Sequence, residues 1–97
     1  MFSSPLTVDR GLLLVYKQDS RIDTAIHMLA VKSDLAVVWI NHLKKVVDRC
    51  IARKGKLIYL PAYPACFVLE MNPARFDDFN YSDEVRLEFL NQNEPIY

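Results

Sequence analysis

Short runs of aliphatic residues, separated by polar and proline-containing segments, dominate the pattern along this chain. Residues 11–16 read GLLLVY and residues 35–40 read LAVVWI, and neither run is interrupted by a polar side chain. Unbroken apolar runs of this length, rich in β-branched residues, are typical of strands that are covered on both faces. The pattern therefore predicts two core strands, the second of them central in a sheet.

Two further strands are predicted in the middle of the chain. Residues 41–44 separate the second core strand from an apolar run at residues 46–51, and this spacing fits a hairpin with a loop of about four residues. The loop lacks the glycine that such turns commonly contain. Residues 57–60 form a short strand that we expect to end at Pro61, because proline cannot donate to a β-ladder.

A half-buried strand and a short helix follow. Residues 66–71 alternate, with Phe67 and Met71 on one face and Glu70 on the other, which favours a strand with one solvated face. Asn72 and Pro73 suit the N-cap and the first position of a helix over residues 73–79. That helix would direct Phe76 and Phe79 inward.

The charged segment near the C-terminus predicts a last strand. Val85, Leu87 and Phe89 alternate with charged residues over residues 82–90, and a period of two favours a strand over a helix. The fold class expected from these elements is mainly β, an antiparallel sandwich or partly open barrel with one short helix before the last strand.

Length and charge narrow the class of protein. A chain of 97 residues fits a single domain spanning residues 1–97, and residues 91–97 have no pattern, so we expect a frayed tail there. Twelve basic and twelve acidic residues cancel, which disfavours electrostatic attraction to nucleic acid or anionic membranes. The chain has no signal-peptide pattern at its start and no apolar run near the roughly 18–20 residues of a membrane span, which predicts a soluble cytoplasmic protein.

Five segments together resemble a family of small bacterial and archaeal proteins called domain of unknown function 192 (DUF192). The resemblance extends from about residue 1 to residue 89. In chain order the segments are GLLLVY at residues 11–16, IHML at 26–29, LAVVWIN with the following KVVD within 35–48, YLPAYPACFVLEM at 59–71, and SDEVRLEF at 82–89. The resemblance implies a mainly antiparallel β fold and no particular activity, because the family has no agreed substrate, cofactor or catalytic residue.

The chain departs from the family pattern at several positions. The family tends to have Pro at Asp34, Asp at Ala36 and Gly at Lys44, so any polar role of that Asp is absent here. Family members usually have another strand upstream of the position of Met1, so we expect an open sheet edge. An unpaired edge favours self-association into a homo-oligomer by strand pairing.

The leading functional hypothesis is a small non-enzymatic domain that binds a ligand or a partner protein. Aromatic side chains that line a concave face commonly hold small apolar or sugar-like ligands. The candidate ligand-binding residues are His27, Lys32, Trp39, Tyr59, Tyr63 and Glu70. Catalytic residues, metal ligands and a cofactor site are not predicted: the chain has only two glycines for a phosphate loop, and its two cysteines are interpreted as small apolar groups.

Two alternatives remain open. One is a small hydrolase-like enzyme that uses His27 with Cys66 or Glu70, which requires these side chains, together with Lys32, to converge in one concave site. The other is single-stranded nucleic-acid binding by the basic residues between Lys44 and Lys56, with tyrosines as stacking platforms. The simpler interpretation of that basic segment is a solvated ribbon whose charges oppose aggregation.

Overall fold

The computed structural model describes residues 11–27, 33–53 and 58–87. Four antiparallel strands form one open sheet in the order β1-β6-β3-β4, and two short strands, β2 and β5, form a second sheet. The elements are β1 (Gly11–Ser20), β2 (Ile26–His27), β3 (Leu35–Ile40), β4 (Val46–Ala52), β5 (Ile58–Tyr59), β6 (Ala65–Met71) and a 3₁₀ helix, η1 (Pro73–Asp78). The predicted mainly antiparallel β fold is confirmed.

The second predicted core strand, β3, lies in the interior of the main sheet. All of its side chains are buried, and it pairs with β4 on one side and β6 on the other. Burying one large aliphatic side chain contributes about 1.5–3 kcal/mol, so this strand supplies much of the stability of the domain. Its central position confirms the prediction.

Strand β6 is more buried than its alternating sequence predicts. Only Leu69 is partly exposed, and even Glu70 is fully buried. The prediction of one solvated face is therefore wrong. The reason is that β6 lies between β1 and β3, and both faces of the sheet are covered at this position.

Strand β1 departs from its prediction in the opposite direction. The sequence predicts a strand covered on both faces, but Val15 is 56% exposed and all other residues of β1 are exposed or half-buried. Among the described residues β1 pairs only with β6, so it is an edge strand. An edge strand has fewer neighbours to cover its side chains, and its apolar composition alone does not bury it.

Two apolar clusters pack on the opposite faces of the main sheet. The first includes Trp39 and Val68 and lies against Ile26 and Tyr59 of the small sheet. The indole nitrogen of Trp39 donates a hydrogen bond of 2.7 Å to the Thr24 carbonyl, which ties the segment before β2 to the core. The second cluster includes Val38 and Met71 and is covered by η1 and the segment that follows it.

The hairpin between β3 and β4 forms as predicted. The Lys44 amide donates to the Asn41 carbonyl at 2.9 Å, and the Asn41 amide donates to the Lys45 carbonyl at 3.0 Å. Lys44 has a φ of 64°, the left-handed conformation in which glycine has no steric cost. This conformation explains why glycine would suit the position that Lys44 occupies.

The helix prediction is confirmed in place, although the helix is of the 3₁₀ type. The Asn72 side chain accepts a hydrogen bond of 2.9 Å from the Ala74 amide, which is the predicted N-cap. Phe76 and Phe79 pack against the second cluster, as expected.

The predicted last strand is wrong within residues 82–87, while residues 88–90 lie outside the described part of the chain. Val85 and Leu87 do pack inward against the second cluster. However, the segment is joined to the β3–β4 hairpin by an isolated bridge between Lys45 and Glu84, with three backbone hydrogen bonds to residues 44 and 46. Ser82, two residues before the bridge, has a φ of 68° that interrupts the extended backbone. The pattern predicted the inward side chains correctly, but the backbone does not form a ladder.

Candidate functional site

The carboxylate of Asp48 connects three segments that are far apart in sequence. One oxygen accepts hydrogen bonds from the Tyr81 hydroxyl at 3.0 Å and from the Arg49 amide at 2.8 Å. The other accepts a bond of 2.7 Å from the Ala62 amide. A half-buried carboxylate with three donors holds the loop after β5 and the segment after η1 against β4.

Tyr81 lies across the outer edge of β4. Asp48 and Arg49 are adjacent in the strand and point to opposite faces, yet Tyr81 contacts both of them. Its hydroxyl donates to Asp48, and the Arg49 guanidinium lies 6.0 Å from the centre of its ring. The same guanidinium lies 4.1 Å from the Phe76 ring and donates to the Phe76 carbonyl at 3.1 Å. Two contacts, one with Asp48 and one with Arg49, thus hold Tyr81 in position.

An open cleft of about 250 Å³ lies beside this connection, at the start of β4. Its walls come from the β3–β4 turn, from β4, from the loop after β5 and from the segment after η1. Tyr63 is 63% exposed and Tyr81 is 58% exposed, so both rings are accessible. The lining residues are Asn41, Lys45, Val46, Val47, Tyr63, Tyr81 and Ser82.

Glu70 is a second unusual group. It is fully buried, and neither carboxylate oxygen has a hydrogen-bond partner in the described part of the chain. Glu70 pairs with Val37 and Leu12, and therefore points to the same face of the sheet as Trp39. Burial raises the pKa of the Glu70 carboxyl above its ordinary value, because the charged form is poorly solvated there.

A third cluster joins the end of β1 to the β3–β4 turn. The Asp19 carboxylate lies 2.5 Å from Nδ1 of His42 and accepts a bond of 3.0 Å from the His42 amide. It also accepts a bond from the Cys66 thiol. Burial and the Asp19 carboxylate raise the pKa of Cys66 to about 11, so the thiol is neutral near pH 7 and is a poor nucleophile.

The structure separates the residues that the sequence suggested for ligand binding. Trp39 and Tyr59 pack in the first apolar cluster, on the face to which Glu70 points, and Tyr63 lies apart from them in the cleft. Lys32 and the side chain of His27 lie outside the described residues. Within the described part of the chain, no three His, Cys, Asp or Glu side chains are arranged to hold a metal ion.

The structure describes some of the residues of both alternative sites. Cys66 and Glu70 are four residues apart on β6, about 13 Å at roughly 3.3 Å per residue, and Cys66 contacts Asp19 instead. In the basic segment, Lys44 lies 4.7 Å from the Phe67 ring, and Arg49 contacts Phe76 and Tyr81. Arg53 forms an ion pair of 3.3 Å with Asp34, whereas residues 54–56 lie outside the described residues.

Sequence reasoning named Tyr63 as a ligand-binding candidate but missed Asp48 and Tyr81, which shape the cleft beside it. Asp48 is a charged residue within an apolar strand, and this is the one local signal that could have drawn attention to it. Its donors come from Ala62 and Tyr81, which are 14 and 33 residues away, so their arrangement has no local signature.

Comparison with known proteins gives a family and no activity. A UPF0127 protein of Thermococcus gammatolerans is 35% identical over 63 residues, which cover 65% of this chain and 40% of that protein. A second UPF0127 protein, from Thermococcus kodakarensis, is 33% identical over 63 residues with the same coverage. The matched region thus spans less than half the length of these curated relatives.

No solved structure matches this chain significantly. No helix in the described ranges is long and apolar enough to span a membrane. The sequence model of the family described as Uncharacterized ACR, COG1430 matches residues 1–89, nearly the whole chain. The chain therefore belongs to the DUF192 family, which also includes the UPF0127 proteins.

Proposed function

We propose that this domain binds a small ring-shaped ligand in the cleft at the start of β4 and catalyses no reaction on it. The observation that carries the proposal is that Asp48 holds the loop next to Tyr63 and the hydroxyl of Tyr81. The Tyr81 ring and the backbone beside Tyr63 are thereby held in place before any ligand arrives. A preformed aromatic surface avoids the entropic cost of ordering side chains during binding.

The composition of the cleft supports this class of ligand. Val46 and Val47 contribute apolar lining, while Asn41, Ser82 and Tyr63 contribute polar groups. Binding sites for small molecules are commonly apolar with a few polar groups that orient the ligand. A volume of about 250 Å³ suits a single aromatic or sugar ring.

The test uses two neutral ring compounds, phenol and methyl β-glucoside, added at millimolar concentration to the isotopically labelled protein. We expect NMR shifts at Tyr63, Tyr81 and Val47, with saturable dependence on the concentration of at least one probe. Tyr63→Ala should weaken binding about fivefold or more, because stacking on one aromatic ring is worth about 1 kcal/mol or more.

Ile22→Ala is the matched control, because Ile22 is 78% exposed and does not line the cleft. This variant should bind the probes as the unmodified protein does. If neither neutral probes nor anionic ring compounds shift the cleft residues, the proposed function is wrong.

We also propose self-association through the outer edge of β1. Val15 and Leu12 are 56% and 37% exposed on this strand, which pairs on one side only among the described residues. Sedimentation over a wide range of concentrations should detect a dimer, and Val15→Lys should weaken it. A strict monomer at high concentration would contradict this proposal.

A further inference from the structure

We infer that the ligand of this cleft carries an anionic group, a carboxylate or a phosphate, which contacts the ammonium group of Lys45. This inference rests on the proposed binding function and specifies its ligand class. It follows from the positive charge of Lys45 and from the hydrogen-bond donors that line the cleft.

Lys45 is the only charged residue among the described residues that line the cleft. Its backbone is fixed, because its amide donates to the Asn41 side chain at 3.1 Å and its carbonyl accepts from the Asn41 amide at 3.0 Å. Its ammonium group forms neither an ion pair nor a hydrogen bond with any described residue. The cleft therefore presents a cation from a fixed backbone position.

The remaining polar groups of the cleft can also donate hydrogen bonds. The side-chain oxygen of Asn41 already accepts bonds of 3.0 Å from Leu43 and 3.1 Å from Lys45. Its NH₂ group is therefore what Asn41 can offer to a ligand. The hydroxyls of Ser82 and Tyr63 can donate as well. A cation with several donors around it matches the oxygens of a carboxylate or phosphate.

The carboxylates near the cleft differ in whether their oxygens already accept hydrogen bonds from the protein. Asp48 has its two oxygens occupied by three donors, and Asp83 accepts a bond of 2.8 Å from the Asn80 amide. Glu84 lies opposite Lys45 in the isolated bridge and is exposed. Glu84 is thus the carboxylate that competes with a bound anion, and its removal should favour binding.

The experiment compares ring compounds that differ in charge, using the full chain. Benzoate and phenyl phosphate are measured against phenol, and glucose 6-phosphate against methyl β-glucoside, by NMR titration at low salt. We expect each anion to bind about three- to tenfold more tightly than its neutral counterpart, with the difference falling as salt is added. Comparison of benzoate with phenyl phosphate shows which anionic group the cleft prefers.

Three variants test whether Lys45 causes the difference. The readout is the ratio of anionic to neutral affinity measured on the same variant. Lys45→Ala should bring this ratio close to one, whereas Glu84→Gln should increase the ratio about two- to threefold. Lys17→Ala, which removes an exposed lysine of β1 outside the cleft, should leave it unchanged.

If neutral rings bind as tightly as anions, or if Lys45→Ala retains the preference, the inference about charge is wrong and the binding function stands. If no ring compound shifts the cleft residues, both are wrong. Folding of each variant is checked by its unfolding transition, so a loss of structure is not mistaken for a loss of binding.

Discussion

The hydroxyl of Tyr81 donates a 3.0 Å hydrogen bond to the carboxylate of Asp48, across 33 residues of sequence. This bond closes the segment after η1 over the edge of β4 and places one aromatic wall of the cleft. It also raises the pKa of the Tyr81 phenol above its ordinary value of 10.0, because the hydroxyl proton is held by a carboxylate.

Replacing Asp48 should both destabilise the domain and alter Tyr81. Asp48→Ala leaves the Ala62 and Tyr81 donors without their acceptor, and we expect the free energy of unfolding to fall by about 1–3 kcal/mol. The pKa of Tyr81 should return toward 10.0. Urea unfolding and NMR titration of the tyrosine rings measure the two effects. Asp23→Ala is the control, since that residue is exposed and lies in the loop between β1 and β2, and equal stability of the two variants would contradict the role of Asp48.

Stability should depend on the ionisation of Glu70. The pKa of this carboxyl is raised in the folded state. Between pH 4.5 and the raised pKa, the folded state therefore keeps a proton that the unfolded state has released. The contribution of Glu70 to the free energy of unfolding should therefore be most favourable below pH 4.5. It should fall as the pH rises from 4.5 to the raised pKa.

Glu70→Gln removes the ionisation while keeping a side chain of similar size. We expect this variant to lose the decline in stability with rising pH, and Glu84→Gln, which alters an exposed glutamate, to retain it. Thermal unfolding across pH 4 to about 8 makes the comparison. A Glu70→Gln variant with the pH profile of the unmodified protein would show that Glu70 is solvated in solution.

The two cysteines should react at different rates. Cys66 is 5% exposed and its pKa is raised to about 11, whereas Cys50 is half-buried, and neither cysteine forms a disulfide. Because the thiolate is the reactive form, iodoacetamide at pH 8 should modify Cys50 first and Cys66 only after unfolding. Mass spectrometry of the labelled peptides measures both rates. Fast labelling of Cys66 in the folded protein would contradict the burial and the contact with Asp19.

The left-handed backbone at Lys44 should carry a measurable cost. Lys44→Gly and Lys44→Ala both remove the contact of the ammonium with the Phe67 ring, and only glycine relieves the φ of 64°. We expect the Gly variant to be more stable than the Ala variant by about 1 kcal/mol, or roughly 4–8 °C in Tm. Equal Tm values would mean that the turn changes conformation in the Ala variant.

The sequence alone determined those elements whose neighbours are close along the chain. The uninterrupted LAVVWI run indicated the buried strand β3, and Asn72 with Pro73 indicated the start of η1. The alternation at Val85 and Leu87 indicated side chains that do pack inward. Each of these depends on local periodicity or on a cap, which residues a few positions apart establish.

The tertiary structure decided what those patterns leave open. GLLLVY and LAVVWI are equally apolar, yet β1 is an edge strand and β3 is central, because strand order depends on pairing between distant segments. The alternation in β6 did not reveal that both of its faces are covered. The cleft lies between segments that are joined by Asp48 and by backbone hydrogen bonds to Lys44 and Val46, and such long-range contacts leave no periodic signal in the sequence.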